Sequence, residues 1–494
     1  MLQPSFRRKF IVVALAAYCI SSCSESTLTE TNVSVLESGQ TDVDQIEARD
    51  LDPRPNILVV VTDDQGYADL GAQGIFGDIS TPHIDQLAAD GARMTSGYVT
   101  APQCIPSRAG LLTGKYQQSF GLDDNRFAPL PLDEPTMADR LKDAGYQTGM
   151  VGKWHLEINQ SSQGFDFDNL SIDEKATYFP DQRGFDDVYF GYRNIWWTNY
   201  DLQGNSLPAG YRENTDYRLD VTTDAGISFI DKHQDKPFFL YLSYFAPHVP
   251  LESTEAQLAK FSGVPETRRQ HALAMLGSID DGIGRIRSKL EESSITDNTL
   301  IYFVSDNGAP LGIHKLDLPI ENNGGAWDGS LNDPMIGEKG MLSDGGIRVP
   351  YIVTWPGTIP AGIIVDAPVS TLDIATTSLA VAGVESLSEL DGENLLPSLV
   401  GDAMLEERTL YWRFWSQAAI RQGQWKYLQV STEYELLFDM NSSTPESENV
   451  IASYPEIAGE LREKLTSWTD GLYRPGLTDP DMNSQEIDWY AHYF

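Results

Sequence analysis

Four stretches of the chain are apolar almost without interruption, and each runs straight into polar or ionisable residues. Ile57-Leu58-Val59-Val60-Val61 gives way to Thr62-Asp63-Asp64, and Leu300-Ile301-Tyr302-Phe303-Val304 to Ser305-Asp306-Asn307-Gly308. The run from Phe238 to Tyr244 leads into Ala246-Pro247-His248-Val249-Pro250, and the shorter Gln147 to Val151 into Gly152-Lys153-Trp154-His155. Continuous rather than alternating hydrophobicity predicts strands covered on both faces, as in a parallel sheet between helical layers. Polar residues at the carboxyl ends of such strands matter because open α/β sheets bind their ligands there. Between the runs, Thr81 to Arg93 reads as a helix with proline at its first position, and Thr136 to Ala144 and Thr223 to Lys232 also read as helical. The expected fold is α/β, with a large mixed, mostly parallel central sheet flanked by helices.

The pattern changes near Gly401. Leu410 to Phe414, Ala418 to Arg421 and Trp425 to Leu428 are short aromatic or apolar segments separated by turn residues, which predicts a smaller antiparallel sheet with a packed helix. The other end carries a targeting pattern. Arg7-Arg8-Lys9 precedes an apolar stretch from Phe10 to Ala17, too short to span a bilayer, and then Ile20-Ser21-Ser22-Cys23 resembles a bacterial lipobox. Cleavage there would leave Cys23 for lipidation; an ordinary secretory signal is the alternative. Ser24 to Asp52 holds eight acidic residues and one basic residue and reads as a tether. The expected organisation is a signal peptide over 1–22, an acidic disordered tether over 23–53, a catalytic domain over 54–400 and a C-terminal subdomain over 401–494. The protein is expected to be exported, periplasmic or anchored to the outer membrane by its lipid.

Composition narrows the function. The 494 residues carry a net charge of −37, which argues against nucleic-acid binding, since phosphate contacts need a basic face. Of three cysteines only Cys104 lies in the body of the chain, so an internal disulfide there is excluded. Asp63, Asp64, Asp306 and Asn307 are hard oxygen donors, which suit Ca²⁺ or Mg²⁺ rather than zinc. Cys104 to Tyr116 reads as a turn feeding a helix, whose N-terminal N–H groups and dipole favour an anion. Arg108 lies one turn in and offers a planar fork of donors. Lys153 and His155, two apart in an extended segment, could face one site. His248 stands between two prolines that restrict its backbone.

Cys104-Ile105-Pro106-Ser107-Arg108, continuing as Ala109-Gly110-Leu111-Leu112-Thr113-Gly114, resembles the signature of the type I sulfatases of the alkaline phosphatase superfamily. Gly-Lys-Trp-His at 152–155, Ala-Pro-His-x-Pro at 246–250 and the segment Gly337 to Pro350 resemble further segments of that family, in the same order. The resemblance implies that a separate formylglycine-generating enzyme oxidises Cys104 to Cα-formylglycine, whose hydrate attacks sulfur. It implies Ca²⁺, with Mg²⁺ as the alternative, held by Asp63, Asp64, Asp306, Asn307 and position 104. It also implies catalytic roles for Arg108, Lys153, His155, His248 and Lys339. Three positions qualify it. Asp344 stands where the family has Glu, Glu157 stands where Gly often follows Trp-His-Leu, and Arg348 is expected to be a structural ion-pair partner. The implied substrate is a sulfate ester on a carbohydrate, from marine algal or animal glycans. The alternatives are a formylglycine-dependent phosphonate or phosphate ester hydrolase, and a non-catalytic glycan-binding lipoprotein. Tyr192, Arg193, Trp196 and Trp197 are an aromatic-basic cluster that could clamp a sugar or pack a loop onto the core, and His314 is a further substrate-binding candidate.

Overall fold

The structure is a computed structural model and describes residues 54–322 and 326–494. The targeting pattern, Cys23 and the whole tether expected over 23–53 lie outside the described residues. Ten strands form the central sheet: β1 (Asn56–Asp63), β2 (Ala92–Met94), β3 (Gln147–Gly152), β4 (Asp187–Tyr192), β5 (Ile195–Tyr200), β6 (Ser206–Glu213), β7 (Phe238–Pro247), β8 (Thr299–Ser305), β9 (Tyr351–Thr354) and β10 (Ile363–Val365). Their spatial order is β10-β2-β9-β8-β1-β7-β3-β4-β5-β6. The five central strands, β8, β1, β7, β3 and β4, are mutually parallel. Antiparallel pairs join β9 to β8 and β2, and β5 to β4 and β6.

All eight residues of β1, all seven of β8 and all ten of β7 are buried, as unbroken apolar runs require. Their side chains alternate between two cores. Ile57, Val59, Val61, Phe239, Tyr241, Tyr302 and Val304 enter one, while Leu58, Val60, Leu240, Leu242, Ile301 and Phe303 enter the other. The second core is closed by helices α1 (Pro82–Asp90), α4 (Arg218–His233) and α5 (Thr267–Glu292). The first is closed by α2 (Cys104–Thr113), α3 (Met137–Asp143), α6 (Leu372–Val381) and the inner face of the C-terminal sheet.

That sheet comprises β11 (Thr409–Phe414), β12 (Gln417–Gln422), β13 (Trp425–Val430) and β14 (Tyr434–Asp439), paired antiparallel in sequence order. Leu410, Trp412, Ala419 and Leu428 face the large core. Ala418, Ile420, Tyr427 and Leu437 face helix α7 (Pro455–Asp470). A last helix, α8 (Ser484–Tyr493), packs Trp489 and Tyr490 into the large core.

Two helical expectations shift. The first helix stops at Asp90, because Gly91 breaks it and the chain turns directly into β2, so Arg93 is a strand residue. The helix expected from Thr223 begins five residues earlier, at Arg218, whose side chain is buried rather than solvated. The helix after Thr136 forms as read, with a capping box in which Thr136 and Asp139 exchange hydrogen bonds.

Candidate active site

The carboxyl ends of β1, β8, β7 and β3 meet the N-terminus of α2. Asp63 closes β1, and Asp64 follows in the left-handed region with φ 63°, which Asp tolerates better than most residues. Asp306 and Asn307 follow β8, and the Asp306 backbone N–H donates to Thr62 O at 3.1 Å, tying the two strand ends together. Asp64 N–H donates to Asp306 Oδ1 at 3.1 Å, and Asn307 Nδ2 to Asp64 Oδ1 at 2.6 Å. Gly152 at the end of β3 has φ 96°, and a Cβ there would lie 1.9 Å from Ser243 O. Only glycine lets β3 approach β7 this closely and release Lys153 toward the site.

All ten residues of α2 are buried, and Gly114 ends the helix in the left-handed conformation with its N–H on Gly110 O at 2.9 Å. Cys104, the first helical residue, has its Sγ 3.6 Å from Asp63 Oδ1, 3.9 Å from Asp64 Oδ1 and 3.3 Å from Lys339 Nζ. Arg108 points to Asp306 rather than to the thiol. Its Nε and Nη2 reach Asp306 Oδ2 at 2.9 and 2.7 Å, and its Nη1 reaches Ser243 Oγ at 2.5 Å. Lys153 Nζ donates to Asp63 Oδ2 at 2.6 Å, and Lys339 Nζ to both Asp64 oxygens at 2.6 and 2.8 Å. His248 Nε2 lies 3.6 Å from Asp64 Oδ2, while its backbone N–H donates to Asp63 O at 3.1 Å.

The segment after β3 is not regularly extended. Trp154 turns inward, donating from Nε1 to Tyr178 O at 2.9 Å, and His155 has φ 61°. Lys153 and His155 nonetheless line the same cavity of about 620 Å³, together with Asp63 and His248.

Burial pushes the Cys104 thiol far above its ordinary pKa, against the pull of Lys153 and Lys339, so it stays protonated and is a poor thiolate nucleophile. Burial also opposes ionisation of Asp63, but Lys153, then His248 and Arg108, hold it well below the usual carboxylate range. Lys153 and Lys339 are held protonated despite burial by Asp63 and Asp64 respectively. Burial, reinforced by Lys153 and Arg108, drives His155 well below the ordinary imidazole value. Burial also lowers His248, outweighing Asp63 and Asp64.

The two carboxylates and a free amide carbonyl fit a hard dication, while Cys104 and His248 stand beside them and Asp306 is bonded to Arg108. Asp63, Asp64, Cys104 and His248 offer ligand atoms within 4.8 Å of one another. The buried Asn307 Oδ1 accepts no hydrogen bond among the described residues, leaving a carbonyl oxygen free beside the carboxylates.

The remaining sequence candidates lie apart from this cluster. Trp196 is fully buried against Tyr189, and Trp197 stacks edge-on with Phe179 and Tyr211, each at 5.1 Å between centroids. Arg193 projects to Glu252, with its Nε at 3.5 Å. Tyr192 alone of that cluster lines the cavity. His314 is exposed, its ring 5.3 Å from that of His492. The sequence reading passed over three residues. Ser243, the one serine in an otherwise aliphatic and aromatic run, orients Arg108. Glu338 accepts the backbone N–H groups of Leu311, Gly312 and Ile313 at 2.8–2.9 Å and so fixes the loop after Asn307. Phe245 forms part of the cavity wall.

Comparison with known proteins agrees with this geometry. The Sulfatase family profile matches residues 55–384, and that of the N-sulphoglucosamine sulphohydrolase C-terminal region matches residues 336–470. The chain is 32% identical over 490 residues to an N-acetylgalactosamine-6-O-sulfatase of Bacteroides thetaiotaomicron, covering 84% of this chain and 93% of the relative. It is 31% identical over 407 residues to N-acetylgalactosamine-6-sulfatase of Canis lupus familiaris, covering 75% and 71% respectively. The crystal structure of Ps i-CgsB in complex with k-i-k-neocarrahexaose superposes with a TM-score of 0.73 at 30% identity, covering 89% of this chain and 97% of that one.

Proposed function

The chain belongs to the sulfatase family and is a sulfuric ester hydrolase, and from that premise we propose that it desulfates a carbohydrate with position 104 carried as Cα-formylglycine and Ca²⁺ as its ion. The observation that carries this reading is Cys104 itself, buried at a helix N-terminus between two aspartates and Lys339, yet held as an inert thiol. Formylglycine hydrate would supply the nucleophilic oxygen, and a dication held by Asp63, Asp64, Asp306 and Asn307 would polarise it.

The remaining work falls to side chains already in place. Lys153, Lys339 and Arg108, each paired with one of the three aspartates, would stabilise charge on the transferring group's oxygens within a chain that is strongly acidic overall. Arg108 is fixed by Asp306 and Ser243, so its guanidinium needs no reorganisation during the reaction. His248 and Lys339 would bind sulfate oxygens, and one of them would pass a proton to the departing alcohol, which leaves poorly as an alkoxide. His155, which lines the same cavity, would take a proton at position 104.

A carbohydrate substrate is supported by the relatives, two named for N-acetylgalactosamine 6-sulfate and one solved with a carrageenan-type oligosaccharide. The aromatic walls of the cavity, Phe190, Tyr192, Tyr211 and Phe245, suit the apolar face of a sugar ring. Export by the N-terminal targeting segment, with Cys23 lipidated, agrees with such a substrate; mass analysis of the mature N-terminus tests it. Among the described residues no helix is long and apolar enough to cross a membrane.

The test of function is sulfate release from a panel of sulfated algal and animal oligosaccharides, using protein co-produced with a formylglycine-generating enzyme. Matched aryl phosphonate esters serve as the competing class. Sulfate release from a glycan is expected. Faster turnover of the phosphonates, or glycan binding without release by formylglycine-bearing protein, would sink the reading.

A further inference from the structure

We propose that Lys175 is a second anion-binding group of the cavity, so that the favoured substrates are sulfated sugars carrying a further sulfate or carboxylate. This rests on the sulfatase reading and names which sulfated carbohydrates the site takes.

Between Lys153 and Arg183 the chain has six acidic residues and a single lysine or arginine, Lys175. Lys175 sits in the short helix Ile172–Ala176 and lines the cavity. Of the six acidic residues only Glu157 does so too. Asp166, Asp168, Asp173 and Glu174 are exposed. The adjacent Glu174 has its Oε2 taken by the Ser171 backbone N–H and hydroxyl, at 2.8 and 2.7 Å. The ammonium of Lys175 sits instead 3.9 Å from the centre of the Phe167 ring, which also lines the cavity, and no carboxylate pairs with it among the described residues. A ring face attracts a cation without itself carrying a charge. Phe167 therefore holds the ammonium in place and leaves its charge available.

The other cations around the site are already matched. Lys153 bonds Asp63, Lys339 bonds Asp64, Arg108 bonds Asp306, and Arg193 reaches Glu252. Lys175 is different, bringing to the cavity a positive charge that no side chain balances, in a chain of net charge −37. Glu157 does not cancel it, since its Oε2 is sealed from water and burial raises its pKa, which weakens its charge. Lys153, His155 and His248 occupy the floor of the cavity, while Phe167, Phe179, Tyr192, Tyr211 and Phe245 supply aromatic walls. A sugar in this cavity of about 620 Å³, with its scissile sulfate on the floor, leaves its other substituents among the wall residues, and Lys175 is the cation there. An ammonium on a flexible stem has three donors to offer an anion. A sulfate or carboxylate oxygen meeting it makes a charge-assisted hydrogen bond, stronger than any a neutral hydroxyl would form.

The experiment compares kcat/KM for a singly sulfated disaccharide that the enzyme turns over with that for the same disaccharide bearing one further anion. The added group is a sulfate on the same ring, a sulfate on the adjoining ring or a carboxylate on the adjoining ring. Wild type, Lys175→Met, Lys175→Gln and Lys175→Arg are measured, with melting temperatures to establish folding. Wild type is expected to favour at least one doubly charged sugar by roughly tenfold, the effect of one charge-assisted hydrogen bond, and the winning arm identifies the anion and its ring. Either neutral variant should cut that preference to under about threefold, chiefly by losing on the doubly charged sugar, while Lys175→Arg retains most of it. Added salt should shrink the preference of the wild type, because the ammonium is part-exposed. An unchanged preference in a folded neutral variant overturns the proposal. So does a wild type that favours none of the doubly charged sugars. Failure of the wild type to release sulfate from any sugar sinks the functional reading and this proposal together; turnover without a preference that depends on Lys175 sinks this one alone.

Discussion

Two of the dense clusters of buried charge among the described residues differ in how their members are partnered. The first gathers Asp63, Asp64, Asp306, Arg108, Lys153 and Lys339 at the sheet's carboxyl edge. The second lies where the C-terminal sheet meets the large core. There Lys426 Nζ bonds Asp344 Oδ1 at 2.8 Å and Glu446 Oε1 at 2.6 Å. The Tyr98 hydroxyl and Arg348 donate to Asp344 at 3.0 and 3.2 Å, and the Asp344 backbone N–H donates to Glu446 Oε2 at 2.7 Å. Each carboxylate oxygen of the second cluster therefore has a donor. The first cluster leaves Asn307 Oδ1 without one, places a thiol among its charges and opens into a cavity. Burial and shifted pKa values are common to both. Incomplete partnering beside an accessible cavity separates chemistry from architecture.

The contrast is sharpest at Cys104 and Lys426. Cys104→Ala should lower sulfate release by roughly 10⁴-fold or more, with the melting temperature nearly unchanged, since the nucleophile's loss leaves only binding. Substantial residual turnover would break the comparison. Lys426→Met should do the reverse, costing about 3–5 kcal/mol of stability because Asp344 and Glu446 are left buried without their cation. Denaturant unfolding measures that loss, and turnover per folded molecule should survive.

Cation binding should distinguish the clusters next. Ca²⁺ at a hundred times its dissociation constant should stabilise the protein by about 2.7 kcal/mol. The gain should disappear in Asp306→Asn and persist in Glu446→Gln, as read by thermal melting with and without chelator.

The smallest effect is in pH. Burial, then the charge of Asp344, pushes Glu446 up to about 7 against Lys426. A carboxyl raised above its unfolded value contributes stability that is full below the unfolded value, near pH 4.5, and lost as pH rises through about 7. Glu446→Gln removes that term, so its stability relative to wild type should improve between pH 5 and 8. A flat difference across that range would show that Glu446 is not so perturbed.

Much of the site was legible because it is local to strand ends. An apolar run such as Ile57 to Val61 specifies a buried parallel strand, and the residues directly after it are delivered to the sheet edge whatever the rest of the chain does. The departure at Asp344 was legible as a retained charge, and its pairing with Arg348 follows from their four-residue spacing. The flanking strands β4 to β6 were not legible, because aromatic, small and charged residues there follow no clean two-residue period. Trp196 and Trp197 show the consequence: adjacent in sequence, they fall on opposite faces of β5, so an apparent sugar clamp becomes one core residue and one wall support.

The sequence by itself determined the sheet's parallel centre, the order of its reactive segments and the identity of the residues at each strand end, since these depend on patterns a few residues long. Tertiary structure alone decided which charges are partnered. Lys339 reaches Asp64 across 275 positions, and Arg108 reaches Asp306 across 198. Lys426 reaches Asp344 from another sheet. Whether a buried charge is neutralised depends on what distant strands bring within a few ångströms, a distance that spacing along the chain does not encode.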